Sequence, residues 1–218
     1  MNILAVNSSD DRISVAVNAG GRIIDKTRSS AREHNRFVLT MIQDVLSSAQ
    51  VSLHDIDAVA FGAGPGSFTG LRISAGVAQG IAFGIDAPVV AVSCMAAIAQ
   101  RQSFGKVVVA LDAKQSRIHW GCYVKDKNGL SQLQGDEFLT EIDQLAVDGD
   151  KWLGAGSGWD AHGETLMNQN PQSVTGWTAK QSAEARELAL LGAAYHANGQ
   201  GKQACQAIPK YSFPYITG

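Results

Sequence analysis

Gly62-Ala-Gly-Pro-Gly-Ser-Phe-Thr-Gly-Leu-Arg72 follows an apolar strand pattern, Ala58-Val-Ala-Phe61, and opens a helical one. Glycines at 62, 64, 66 and 70 let backbone pass where no Cβ would fit and accept positive φ. Pro65 stiffens the turn, and Ser67 and Thr69 are both suited to cap the helix that follows. A strand, a glycine turn and a helix N-terminus together suit an anion or a closely approaching partner. A tight structural turn accounts for the same residues equally well. Neither phosphate-loop signature is present: no Gly-Lys-Ser/Thr follows, and the glycines are not spaced as GxGxxG.

Outward from this turn, the chain reads as one pattern written twice. Asn2–Asn7 is a buried strand, Ser8-Ser-Asp-Asp11 a turn, and Arg12–Val17 an alternating second strand. Ala19-Gly-Gly21 turns into a third strand at Arg22–Thr27. From Glu33 to Ala49, Phe37, Val38, Met41, Ile42, Val45 and Leu46 recur at helical spacing. A helix near 68–83 and a strand at Pro88–Val92 complete the first half, and Ser93 is placed to cap a helix through Ala99. In the second half, Val107–Asp112 and Arg117–Val124 are strands and Asn128-Gly129 marks a hairpin. Thr140-Glu-Ile-Asp143 resembles a capping box. Asn7–Ile13 sits over Asp112–Ile118, and Gly62–Gly66 over Gly154–Gly158, in the same order. The repeat is far too long for a solenoid. It implies two related α/β lobes, expected at 1–100 and 101–218. The last helix, near 183–196, is capped by Asn198-Gly199 and packs back on the body.

The 218 residues suffice for a sizeable core, and 45% hydrophobic with 17% charged is ordinary globular composition. A net charge of −2 gives no support to autonomous high-affinity nucleic-acid binding. The 3 cysteines, Cys94, Cys122 and Cys205, are odd in number and form no CxxC, as expected of a reducing compartment. The apolar run at the start is too short for a signal peptide, and the helix around Ile73–Gly84 is too short to span a bilayer. The expected location is the cytoplasm, with no membrane partner.

The hairpin-first duplicated lobe resembles the actin, sugar-kinase and Hsp70 superfamily of paired RNase-H-like lobes, each a mixed sheet flanked by helices. More specifically, four pieces in order across nearly the whole chain resemble the TsaB (YeaZ) family: Ile3-Leu-Ala-Val-Asn-Ser-Ser9, Arg32-Glu-His34, Gly62-x-Gly-Pro-Gly-Ser-Phe-Thr-Gly-x-Arg72 and Asp112-Ala113. That resemblance implies a non-catalytic subunit required for threonylcarbamoylation of N6 of adenosine 37 in tRNAs that read ANN codons. Its implied partners are a TsaD-like subunit, a TsaE-like ATPase and a second copy of itself, with tRNA met only inside the complex. Two departures stand out. Relatives carry Asp-Thr where this chain has Asn7-Ser8, and the tail Pro209-Lys-Tyr-Ser-Phe-Pro-Tyr215 follows the usual proline–tyrosine–leucine–arginine ending only in part.

The chain's own chemistry is sparse. TsaD-like relatives hold a metal with histidines spaced i, i+4; here His34 is followed at that spacing by Val38. Phosphoryl transfer needs carboxylates for Mg²⁺. Asp112 stands at the first turn of the second lobe and is the candidate cofactor-binding residue, whereas Asn7 brings no charge to the first. No metal or catalytic residue is expected, and ATP or ADP is expected, if anywhere, at the interface with partners. Ser67 as a nucleophile lacks a general-base pattern. Arg28, Arg32 and Arg36 recur every four residues, suited to tRNA phosphates or to a solvated helix edge. The rival expectation is a stand-alone ATP-dependent kinase, or a metal-dependent carbamoyl transferase or peptidase, of the same superfamily.

One helix asks for a partner. Gly76, Gly80 and Gly84 are spaced by four, and two such glycines cost roughly 1 kcal/mol each against Ala in an exposed helix. Small residues at this spacing lower one side so that another backbone comes near. Gly84 also suits a C-cap. Ile73, Val77 and Ile81 form an apolar stripe alongside, suited to the protein's own sheet. The second helix is either Phe37–Leu46 of the same chain or another subunit. The expected partner surface comprises Gly62, Gly64, Gly66, Ser67, Phe68, Thr69, Arg72, Gly76, Val77, Gly80, Phe37 and Met41.

Overall fold

A computed structural model of the chain describes residues 1–29, 34–149 and 151–210, with the side chains of 34–36 left aside. In chain order the elements are β1 Asn2–Asn7, β2 Arg12–Ala19, β3 Arg22–Ser29, α1 His34–Ala49, β4 Ala58–Gly64, α2 Phe68–Gly84, β5 Val89–Ser93 and α3 Cys94–Arg101. The second half follows with β6 Lys106–Asp112, β7 Arg117–Lys125, β8 Ser131–Glu141, β9 Trp152–Ala155, α4 Ser157–Gln169, β10 Val174–Thr178 and α5 Ala185–Ala197.

The strand orders are β3-β2-β1-β4-β5 and β8-β7-β6-β9-β10, one topology used twice. In each sheet the first strand pairs antiparallel with the second, Asn7 opposite Ser14 and Asp112 opposite Ile118. In each it also pairs in parallel with the fourth, Ile3 opposite Ala58 and Val107 opposite Leu153. This is the duplicated α/β architecture that the two sequence registers imply. The repeat departs from its first copy at one place. Among the described residues between β8 and β9 there is no counterpart of α1 but a 3-10 turn at Ile142–Gln144, with Glu141 at its N-cap. The strand–strand–strand–helix–strand grammar therefore holds for the first half alone. Leu145 and Val147, just after that turn, take over the core-filling role of the missing helix.

The division of the chain corrects the expected boundary. One unit holds Met1–Cys94 together with the chain from Ala183 onward, and the other holds Met95–Ser182. The final helix belongs to the first unit, not to a lobe running from 101 to 218, because its buried side lies on β1, β2 and β4. Gly192 is what lets it lie there: a Cβ on it would stand 2.7 Å from the Ala60 methyl. The α5 entrance is held by Ser14 Oγ, which accepts the Ala185 N–H at 2.9 Å, and by Arg12 paired with Glu184 at 3.0 Å.

Each unit has its own core. In the first, α1 and α2 cover the sheet face carrying Leu4, Val6, Ile13, Val15, Val17, Val59 and Phe61. The α1 periodicity reads correctly: Val38, Met41, Ile42, Val45 and Leu46 are buried and Phe37 half-buried. On α2 the inward side is Leu71, Ser74, Ala75, Ala78 and Ala82, while Ile73, Val77 and Ile81 are half-buried. The expected burial of the apolar stripe holds in part: Val77 and Ile81 pack against this core at its margin, while the alanines sit deepest. Small alanines let α2 lie close over the sheet, and Ile73 and Val77 line the side toward α1. In the second unit, Trp159 is fully buried, its Nε1 donates to the Val108 carbonyl at 3.0 Å, and a Cβ on Gly154 would strike its ring. Among the described residues, no helix is long and apolar enough to cross a membrane.

Candidate partner-binding surface

The glycine turn between β4 and α2 owes its composition to its own first turn. A Cβ on Gly62 would land on Asn7 Oδ1, and one on Gly70 on the Ser8 carbonyl oxygen. On Gly66 it would stand 2.6 Å from the Ser9 carbonyl oxygen, to which the Ser67 N–H donates at 2.7 Å. Gly64, at φ +116°, faces the Lys210 carbonyl, and the Lys210 N–H donates to Ala63 O at 2.7 Å. Ser67 is the α2 N-cap, accepting the Gly70 N–H at 3.4 Å; Thr69 lies inside the helix. Gly62, Gly64 and Gly70 are buried, so the turn is closed by intrachain backbone, and Gly62 and Gly64 leave the list of surface residues.

The same packing tests the lobe-one turn as a phosphate site. Asn7 is 1% exposed; its Nδ2 donates to the Ala183 carbonyl at 2.9 Å, and its Oδ1 faces the Cys94 thiol at 4.0 Å. Both ends of the amide are committed, and Ser9 and Ser67 are joined through their backbones. The residues here do not fit a Mg²⁺–phosphate group. At the equivalent place in the second unit, Asp112 is exposed. Its N–H donates to Ser157 Oγ at 3.1 Å, its Oδ1 accepts the Lys114 N–H at 3.1 Å, and His162 Nε2 stands 3.7 Å from Oδ1. Gly156 and Gly158 close the turn below it, each within 3.0 Å of the Ala110 carbonyl oxygen once given a Cβ. Burial, reinforced by Asp148, pushes the Cys122 thiol up to about 11, which disfavours its thiolate. Arg32 lies outside the described residues, as do the side chains of His34 and Arg36 and the tail from Tyr211 onward; Arg28 stacks over the Phe37 ring at 3.6 Å.

The outward face of α2 is different. Among the described residues, nothing within 4 Å would meet a Cβ on Gly76, Gly80 or Gly84, so no described helix, α1 included, fills that side. Gly84 is not the C-cap; Ile85 is, at φ −114°. A groove of about 460 Å³ runs between α1 and α2, lined by Val38, Leu39, Thr69, Arg72, Ile73, Gly76 and Val77. At its mouth the Arg72 guanidinium lies 3.7 Å over the Phe68 ring. Of the expected surface residues, Gly66, Ser67, Phe68, Thr69, Arg72, Gly76 and Gly80 are exposed and Val77 half-exposed. Met41 is 7% exposed and faces the core, and Phe37 lies under Arg28, so neither reaches the groove. Sequence reasoning missed Leu39, 59% exposed, and Phe83, 82% exposed. The signal for Leu39 was its place one residue beyond the buried α1 stripe; Phe83 is spaced i+3 from Gly80 on the bare side of α2.

Comparisons with known proteins bear on the fold and the family. A family model described as TsaD, tRNA N6-adenosine threonylcarbamoyltransferase, matches residues 23–208. The chain is 35% identical over 172 residues to the tRNA threonylcarbamoyladenosine biosynthesis protein TsaB of Escherichia coli strain K12, covering 74% of this chain and 73% of that one. It superposes on a solved structure of YeaZ from Pseudomonas aeruginosa with TM-score 0.87 and 37% identity, over 96% of this chain and 99% of that one. A second solved Pseudomonas aeruginosa chain, described as uncharacterized with similarity to peptidase YEAZ, gives TM-score 0.88 at 37% identity, over 96% and 98%.

Proposed function

Because the chain belongs to the TsaB family, and so serves the biosynthesis of threonylcarbamoyladenosine in tRNA, we propose that it acts there as a non-catalytic subunit that docks a partner on the outer face of α2. The observation that carries this reading is the row Gly76, Gly80, Gly84 with open space above each. Glycine in a helix that packs against nothing is destabilising by roughly 0.5–1 kcal/mol per residue. A helix laid close across bare backbone is what offsets that cost, and the adjoining groove with Leu39 and Ile73 gives it an apolar seat. Phe68, Thr69 and Arg72 frame the near end of this seat and Phe83 the far end.

The partners this reading assigns are a TsaD-like subunit, a TsaE-like ATPase joining the assembly, and a second copy of this chain competing for the same helix face. The mechanism is conformational: binding one state of the TsaD-like partner better than another shifts it toward the competent state. Support for a non-catalytic part comes from the sealed lobe-one turn, where the Asn7 amide is spent on Ala183 and Cys94. No phosphoryl or carbamoyl transfer is assigned to this chain; Asp112 is its candidate contributor to a nucleotide held by the assembly. Calorimetric titration of the isolated chain with MgATP, beside titration with a TsaD-family subunit, separates this reading from the kinase alternative. Partner binding with no ATP turnover supports it, and steady ATP turnover by the chain alone refutes it.

A further inference from the structure

Between α5 and Lys210 the chain runs without regular structure along the side of α2 away from α1. Lys202 exchanges two backbone hydrogen bonds with Val89 at the start of β5, its N–H donating at 2.9 Å and its carbonyl accepting at 2.8 Å. A 3-10 turn at Ala204–Gln206 then packs on α2, and Ala207, 7% exposed, enters the core shared with Ala78 and Ala82. The run ends at the other end of α2, where Lys210 donates to Ala63 beside Gly64, whose bare Cα leaves room for the Lys210 carbonyl. So, among the described residues, α2 has the sheet beneath it, α1 on one side and this segment on the other, and the glycine face is left open.

We propose that residues 199–210 are a strap that sets the position of α2, and that its opening withdraws the partner face. The inference rests on the docking role of that face proposed above. The strap's own grip is slight. Among the described residues its ties to the body are the Val89 pair, the Lys210 bond, the Gly199 and Gln200 N–H groups given to the His196 and Tyr195 carbonyls at the end of α5, the approach of Gly201 to Pro88, and the small side chains of Ala204 and Ala207, while Lys202, Cys205 and Ile208 are exposed. Segments with few buried apolar contacts open well below the free energy of global unfolding. At its Lys202 end, a recess of about 530 Å³ separates the strap from the C-terminal turn of α2, lined by Phe83, Asp86, Pro88, Lys202, Ala204 and Cys205. At this end the strap borders a hollow, while further on Ala204 and Ala207 pack against the core, so opening would start at the Lys202 end. Phe83 belongs both to the rim of this hollow and to the open α2 face, so the two are mechanically joined.

The test uses the full chain with Ala207→Glu, which places a charge in the strap's one buried contact, and with Lys202→Pro, which removes the N–H given to Val89 without touching the core. Amide hydrogen exchange is followed in α2, β1 and β6, and binding to a purified TsaD-family subunit is titrated in parallel. The expected result is at least tenfold faster exchange of the α2 amides in both variants, unchanged β1 and β6, and at least tenfold weaker association. Unchanged α2 exchange in Lys202→Pro, with or without binding, overturns the strap. Faster α2 exchange with unaltered affinity overturns the coupling. Absence of binding by the unaltered chain refutes the docking role alone, and the exchange result still decides the strap.

Discussion

Replacing Gly76 and Gly80 together by alanine should make the isolated chain more stable and its association weaker. The magnitude follows from the surroundings of each Cα. A Cβ at either position meets nothing within 4 Å, and neither glycine has a positive φ, so alanine introduces no clash and no strain. What remains is the intrinsic helix preference, about 0.5–1 kcal/mol per site, or about 1–2 kcal/mol for the pair. In a chain of this length that raises the unfolding midpoint by about 2–8 °C. Thermal unfolding is read at two chain concentrations, because self-association through the same face makes the midpoint concentration-dependent. Each added methyl also holds an opposing helix away from the backbone. Overpacking of a fitted contact costs about 1–3 kcal/mol, which is roughly 5- to 150-fold in affinity. Association with a TsaD-family subunit, read by titration calorimetry, should fall within that range, and Gly80→Leu should fall further. A pair variant no more stable than its parent at high dilution would show that the α2 face is not open in the free chain. A pair variant that is more stable and binds unchanged would refute close approach as the reason for the glycines.

Other consequences are as direct. Gly70→Ala places a methyl on the Ser8 carbonyl oxygen and should cost more than about 4 kcal/mol or prevent folding, read as loss of soluble protein or of a cooperative urea transition. Asn7→Asp sets a buried charge against the Ala183 carbonyl and should lower stability by about 3 kcal/mol, without creating ATP turnover. Cys205 is exposed, whereas burial lifts Cys122 from an ordinary 9.0 to about 11, so at pH 8 the Cys122 thiolate is roughly 100-fold scarcer and maleimide should label Cys205 first. Burial, helped by Arg117, holds His119 below its usual 6.5, so the unfolded chain takes up the proton first as pH falls. Its contribution is complete above pH 6.5 and is lost progressively below it; urea midpoints at pH 7.5 and 5.5 should differ less in His119→Asn.

The duplicated sheet was legible because strands leave a period-two trace and because the turns at Asn7 and Asp112, and at Gly62 and Gly154, are spelled alike. Strand β10 was missed: Val174-Thr-Gly-Trp-Thr178 is short and contains a glycine with φ +153°. Helix α4 was missed because its apolar period is weak and is broken at His162, whose φ of −132° lies outside the helix. Which unit α5 joins is a fact of packing, set by Gly192 against Ala60, and nothing local to residues 185–197 records it. The glycine turn was readable as a close approach, but its partner was not, since the Ser8 and Ser9 carbonyls that press on it carry no side-chain signature. On the partner surface, Gly76 and Gly80 were found through their helix cost. Met41 and Leu39 are both apolar residues of one helix, and choosing the exposed one requires knowing where the sheet lies.

On the proposed reading, this chain contributes a surface, not a reacting group, to threonylcarbamoylation of tRNA. The most direct test is the rate of adenosine modification in a mixture of tRNA, ATP, a threonylcarbamoyl precursor, and TsaD-family and TsaE-family subunits, with either this chain or its Gly80→Leu form added. Modification should depend on the unaltered chain and fall at least tenfold with the folded Gly80→Leu protein. Full modification supported by Gly80→Leu would contradict that reading.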